Sequence, residues 1–186
     1  TCTSYVPFAT TYNWTLSDLT GLKTVRVWLR DQYNNVTSTP VSDTITLDKT
    51  AASNPTLNGS GSDASVSLSW DAATDAHSGV ASYKVIYNAT ATAPTSCNVA
   101  GFSYTISTRT MTLSGLTNGT TYSFRLCAID NVGNVAAGSV RSLRPAPEYD
   151  PPTGSLSINS DATYTGSRSV TLTIGASDAN TVTHMC

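Results

Sequence analysis

The sequence predicts an all-β protein built from tandem β-sandwiches, and three observations carry that prediction. Ser and Thr supply 56 of the 186 residues against three Lys and one Glu, so residues that favour helix are scarce. Apolar and hydroxyl residues alternate with a period of two over short runs bounded by Gly, Asn and Pro, the pattern of strands with one wet face. Two motifs also occur twice. Residues 25–36 (VRVWLRDQYNNV) lie over residues 124–135 (FRLCAIDNVGNV) without a gap, and residues 65–72 (SVSLSWDA) lie over residues 169–176 (SVTLTIGA), with an Asp-Ala pair following both times at Asp75-Ala76 and Asp178-Ala179. We call the first the late motif and the second the early motif. Their order along the chain is late, early, late, early. Only the middle holds a full early-to-late unit, so a complete domain is expected between a tail half and a head half.

The elements of the middle unit follow in order. Residues 64–71 point Val66, Leu68 and Trp70 to one face and Ser65, Ser67 and Ser69 to the other. Residues 80–88 continue with Tyr83, Val85 and Tyr87. Further strands are expected at 110–113, 121–129 and 134–143, separated by Gly115, Asn118-Gly119 and Gly133-Asn134. Short strands at this spacing read as a sandwich. No ten-residue helical pattern is present.

At these residues the middle domain resembles a fibronectin type III module over roughly residues 53–145. Trp70 sits on an early strand, and residues 113–122 (LSGLTNGTTY) resemble the leucine-to-tyrosine turn that precedes the sixth strand of that family. The resemblance implies structural roles for Trp70 in the core and for Tyr122, whose hydroxyl would tie the turn to backbone. Residues 150–186, followed in sense by residues 1–50, resemble the two halves of a bacterial Ig-like domain of large surface repeat proteins, through residues 44–48 (TITLD) and Asn34-Asn35-Val36. The expected domains are therefore 1–50, the C-terminal half of an Ig-like domain; 51–148, fibronectin type III-like; and 149–186, the N-terminal half of the next Ig-like domain.

Cys97 and Cys127 both fall in the middle domain, and a disulfide between them would stabilise it by roughly 3–4 kcal/mol in the chain-entropy model. Cys2 and Cys186 lie one in each half, and Cys2 is expected to form a disulfide with Cys186 of a neighbouring unit. There is no Cys-x-x-Cys, so neither zinc-ligand nor haem-attachment spacing is present. The disulfide reading places the chain outside the cytoplasm, secreted or on a cell surface.

The chain carries a net charge of −2 with no basic run, which gives no footprint for nucleic acid. No apolar stretch of about 18 residues is available for membrane insertion, and the chain opens at Thr1 without a leader, as expected of a mature segment or an excised piece. Catalysis is not expected. His77 and His184 have no nucleophile at a recognisable spacing and read as surface or loop residues, and the single Glu, Glu148, lies in a Pro-rich linker without a carboxylate partner. No cofactor is expected. Ca²⁺ is the one candidate ion, through Asp71, Asp75, Asp130, Asn131 and Asn134 at one pole, and through Asp31 and Asn35 in the flank. Turn-capping roles compete for the same side chains. Glycans are possible partners: outward rings among Tyr12, Trp14, Trp28 and Tyr33 could stack on sugars, although Trp28 sits in the late motif and reads as core. Five Asn-x-Ser/Thr sequons, at Asn13, Asn35, Asn58, Asn88 and Asn118, are close to the chance number in so hydroxyl-rich a chain.

A sandwich of seven strands enters at one pole and leaves at the other, about 30 Å away for strands of eight to ten residues. Linkers such as residues 50–55 and 144–152 reach at most about 3.5 Å per residue, so they barely return the two halves to each other within one chain. Completion by a neighbouring copy, head to tail, is the easier solution and generates a filament. The expected function is a structural repeat of an extracellular filament or stalk, as a homopolymer or as tandem repeats in one giant chain; the alternative is an adhesin or carbohydrate-binding module.

Overall fold

The computed structural model describes residues 4–178 and 181–186, and among them all regular structure is β. The strands are β1 (Gly21–Val27), β2 (Val41–Leu47), β3 (Leu57–Ser62), β4 (Ser65–Trp70), β5 (Val80–Asn88), β6 (Phe102–Ile106), β7 (Thr110–Ser114), β8 (Tyr122–Asp130), β9 (Ser139–Leu143), β10 (Thr153–Ile158) and β11 (Leu172–Ser177). The chain divides into two compact units, residues 1–146 and residues 147–186.

Within the first unit, β3 to β9 form a complete sandwich. A three-stranded sheet in the order β3-β4-β7 packs on a four-stranded sheet in the order β6-β5-β8-β9, all pairs antiparallel. Alternation sets the faces. On β4 the inward Val66, Leu68 and Trp70 are buried while Ser67 and Ser69 face solvent. They meet Tyr83 and Val85 of β5 and Phe124, Leu126 and Ala128 of β8 in one core. Trp70 lies edge-on to Tyr83, with ring centroids 5.7 Å apart. The Thr117 N–H donates to the Tyr122 hydroxyl at 3.0 Å, closing the turn before β8.

A second, smaller core lies on the other face of the four-stranded sheet. There the Cys97–Cys127 disulfide is buried with Ile86. It pins the long loop between β5 and β6 onto β8. Gly138, before β9, passes directly over this bridge: a Cβ added there would lie 2.6 Å from the Cys127 Sγ and 2.6 Å from the Leu126 carbonyl oxygen, and its φ is +86°.

The flanking strands make only two-stranded sheets. β1 pairs with β2, Gly21 opposite Leu47 through Val27 opposite Val41, and in the second unit β10 pairs with β11, Thr153 opposite Ser177 through Ile158 opposite Leu172. Residues 4–20 contain no strand. Leu22, Val27, Val41 and Ile45 in the first hairpin, and Leu156, Ile158, Leu172 and Ile174 in the second, remain exposed.

Three sequence expectations are corrected. β3 and β6 had not been anticipated, since β3 is Gly-Ser rich and β6 is a short edge strand with four exposed residues. The expected strand at 134–143 is regular only over Ser139–Leu143; before it a single bridge, Ile129 to Val135, precedes a loop that ends at the left-handed Gly138. Trp28, read as a core residue, is only half-buried. Cys2 lies outside the described residues, and Cys186 is an exposed free thiol.

Replacing Gly138 with Ala combines a disfavoured backbone conformation with a collision against sulfur and backbone. Gly138→Ala is expected to destabilise the sandwich by about 1–3 kcal/mol, read as a lowered urea midpoint with the disulfide intact. An unchanged midpoint would contradict this packing.

Candidate functional site

The densest cluster of polar side chains joins the linker before β3 to two loops at one pole of the sandwich. Asp48 follows β2, Asp75 lies between β4 and β5, and Asp130 ends β8; one carboxylate oxygen from each falls within 4.8 Å of the others. The Asp48 side chain is 2% exposed, and so is residue Asp130.

A carboxylate drawn partly or wholly out of water needs hydrogen bonds, and all three have them. Asp75 Oδ1 accepts from the N–H groups of His77, Ser78 and Gly79 at 3.1, 2.9 and 2.8 Å, capping its own turn. Asp130 Oδ1 accepts from Val132 N–H at 3.0 Å and Asn134 N–H at 2.8 Å, and its Oδ2 accepts from Asn134 Nδ2 at 2.7 Å. Asp48 Oδ1 accepts from the N–H and hydroxyl of Thr50 at 3.0 and 2.9 Å, while its Oδ2 accepts from Ser78 N–H at 3.1 Å. Asn134 Nδ2 also lies 3.4 Å from the Asp48 carbonyl oxygen and 3.3 Å from that of Thr50. Asn131 Nδ2 donates to the Ser78 carbonyl at 2.6 Å. The Asp130–Asn134 loop therefore clamps the incoming linker onto the sandwich.

These bonds favour the ionised form of Asp48, whose pKa is lowered from the ordinary 3.8 to about 2. The largest cause is the Ser78 hydroxyl, which is buried against the carboxylate without reaching full hydrogen-bond geometry; the Thr50 N–H follows. His77 Nδ1 lies 3.9 Å from Asp48 Oδ1, with its ring partly exposed. A trio of hard carboxylate oxygens with nearby backbone carbonyls is a donor set of the type Ca²⁺ accepts, although backbone N–H groups already occupy many of its lone pairs.

Of the residues singled out from sequence, Asp75, Asp130, Asn131 and Asn134 come together. Asp71 does not join them: it follows the inward Trp70, so alternation turns it out to solvent. Asp48 was missed. Its signal was a strand ending followed two residues later by Thr50, the spacing of a side chain that caps its own turn. Asp31 and Asn35 form a separate copy of the clamp loop. Asp31 Oδ1 accepts from Tyr33 and Asn35 N–H at 2.9 and 2.8 Å and Oδ2 from Asn35 Nδ2 at 2.8 Å, matching Asp130 and Asn134 atom for atom. The Asn35 bonds lower the Asp31 pKa as well.

A second feature is aromatic. Tyr87 of β5 stacks on Phe102 and Tyr104 of the edge strand β6, at centroid distances of 5.4 and 6.5 Å, and on Phe124 beneath at 5.5 Å. Burial raises the Tyr87 pKa above its ordinary 10.0. Four strands face three, so β6 overhangs the opposite sheet and leaves the Phe102 and Tyr104 rings exposed as a ledge. Tyr12, Trp14 and Tyr33 are exposed outside the sandwich. His77 and His184 are exposed, and Glu148 lies beyond the last strand of the sandwich.

Residues 50–144 match the family model for the fibronectin type III domain. Among curated proteins, the chain is similar to Chitinase D of Niallia circulans, 43% identical over 77 residues, covering 41% of this chain and 12% of that protein. It is also similar to Chitinase A1 of the same organism, 34% identical over 121 residues, covering 62% of this chain and 15% of the relative, and to Chitinase Chi52 of Paenibacillus xylanexedens, 43% identical over 77 residues. The chain thus spans no more than 15% of the length of the curated relatives it matches. Among solved structures, an Fn3-like protein from Clostridium thermocellum is 21% identical, with a TM-score of 0.38, over 55% of this chain and 99% of that one.

The Asp48 carboxylate contributes stability above its ordinary value of 3.8 that is lost as pH falls through about 2. The melting temperature is expected to decline over that window, and Asp48→Asn is expected to flatten part of the decline while lowering the melting temperature at neutral pH. Identical pH profiles for the two proteins would contradict the clamp.

Proposed function

Because this chain belongs to the fibronectin type III family, we propose that it is a non-catalytic structural segment of a bacterial extracellular filament or stalk, whose units join head to tail by completing Ig-like domains. The observation that carries the reading is the contrast between one fully buried sandwich and two flanking hairpins with exposed apolar faces. A lone two-stranded hairpin is marginal in water, and a free sheet edge recruits another strand. A heterologous contact of this kind does not close on itself and extends into a fibre. The buried disulfide suits an oxidising, extracellular setting. The linker clamp at Asp48, Asp75 and Asp130 suits a role in which one domain is held firmly to the next.

One observation favours a second reading, a carbohydrate-binding module of a secreted protein. The exposed Phe102 and Tyr104 rings, backed by Tyr87, form an aromatic ledge of the sort that contacts sugar rings, and the similar proteins are named chitinases.

Sedimentation velocity with reductant present distinguishes the readings. The structural role predicts species that lengthen with protein concentration and persist without any intermolecular disulfide; a single monomeric species at every concentration would contradict it. The binding role predicts retention on insoluble chitin that is lost in a Phe102→Ala/Tyr104→Ala variant, and no retention of the parent protein would exclude it.

A further inference from the structure

Resting on the head-to-tail reading, we infer that residues 169–173, which run into the start of β11, pair antiparallel in one copy with residues 13–17 of a second copy, with Val170 opposite Leu16 and Leu172 opposite Trp14. The middle sandwich supplies the template. Its β4 is flanked by β3 on one side and β7 on the other, with Val66 opposite Leu113 and Leu68 opposite Met111. The early motif lays Val66, Leu68 and Trp70 over Val170, Leu172 and Ile174, and β10 already stands where β3 stands. Among the described residues, β11 has a neighbour in the place of β3 and none in the place of β7.

The counterpart of β7 lies near the other end of the chain. Residues 15–20 (TLSDLT) repeat residues 112–117 (TLSGLT) with a single difference, and the late motif follows in both places. Residues 112–114 belong to β7, whereas residues 15–17 belong to no strand. Transferring the β4–β7 register through the two repeats gives Ser169 opposite Ser17, Val170 opposite Leu16, Thr171 opposite Thr15, Leu172 opposite Trp14 and Thr173 opposite Asn13.

Exposure agrees at most of these positions, Leu16 being half-buried where its counterpart Leu113 is buried. Val66 and Leu68 are 0% and 2% exposed, but Val170 and Leu172 are 41% and 51% exposed. Leu116 is 9% exposed and its counterpart Leu19 is 79% exposed. In the sandwich these side chains are covered by the partner strand and the opposite sheet, whereas in the flanks the described residues leave the same core sequence uncovered. The two uncovered faces are complementary in the repeat, each holding what the other lacks. A second copy is therefore the occupant, whether it is joined through the chain or not. The same pairing would bring Asp178, the counterpart of Asp75, toward the Asp31–Asn35 loop, the counterpart of the Asp130–Asn134 clamp.

Cysteine pairing tests the register at outward positions that leave both apolar faces intact. In a Cys2→Ser/Cys186→Ser background, a Thr171→Cys chain is mixed with a Thr15→Cys, Asn13→Cys or Ser17→Cys chain under mild oxidant, and linked dimers are counted by mass. The expected result is several-fold faster linkage of Thr171→Cys to Thr15→Cys than to either shifted partner. Equal or faster linkage to a shifted partner would overturn the register while leaving head-to-tail joining intact. No linkage of any pair, with monomeric sedimentation, would overturn both. A single chain carrying Thr15→Cys and Thr171→Cys is expected to link into dimers and longer species; closure within one monomer would overturn the second copy as occupant.

Discussion

An antiparallel strand with one apolar face has two unmet needs, a partner along its edge and a layer over its face, and this chain is organised by where those needs are met. In the middle sandwich each is met: β4 lies between β3 and β7, β8 lies between β5 and β9, and Val66, Leu68, Phe124 and Leu126 disappear between the sheets. The same motifs recur in the flanks with one edge and one face unserved. The difference between the complete and flanking regions is thus a difference of neighbours more than of sequence.

The clamp loop gives the same lesson in polar chemistry. Asp130 and Asp31 each gather two N–H groups and an Asn amide into one turn, although Asp130 is buried and Asp31 exposed. The turn is a local device that its own residues specify. What the middle copy adds is a use for it, because Asn134 reaches the carbonyl groups of Asp48 and Thr50 and so fixes the linker leading into β3. The clamp fixes the linker at this pole, and the buried disulfide fixes the long β5–β6 loop on the outer face of the larger sheet.

Much of this was legible in the sequence. Alternation located β4 and β5 closely, since β4 has one dry and one wet face and β5 turns Tyr83, Val85 and Tyr87 to the main core, and the turn glycines bracketed β7 and β8. Elements without alternation were not visible. β3 offers Gly59 and Gly61 where a core strand would show branched side chains, and it needs them: a Cβ at Gly61 would meet the Arg144 carbonyl oxygen at 2.5 Å. β6 is an edge strand whose Phe102 and Tyr104 overhang the opposite sheet, so its pattern reports exposure in place of burial. Asp48 signals only its local partner Thr50 in sequence, since Ser78 and Asn134 approach it only through the fold. Asp71 stays apart from Asp75 because it directly follows the end of β4 at Trp70 and faces solvent, whereas Asp75 lies four positions on, inside the loop that leads to β5.

The account rests on the flanks being one domain shared between copies. Amide hydrogen exchange, resolved by residue and repeated across protein concentrations, tests it directly. The amides of residues 13–17 and of residues 169–173 at the start of β11 should gain protection together as concentration rises, while β4 and β7 stay protected throughout. Rapid exchange at residues 13–17 and 169–173 at every concentration, beside an unchanged sandwich, would contradict it.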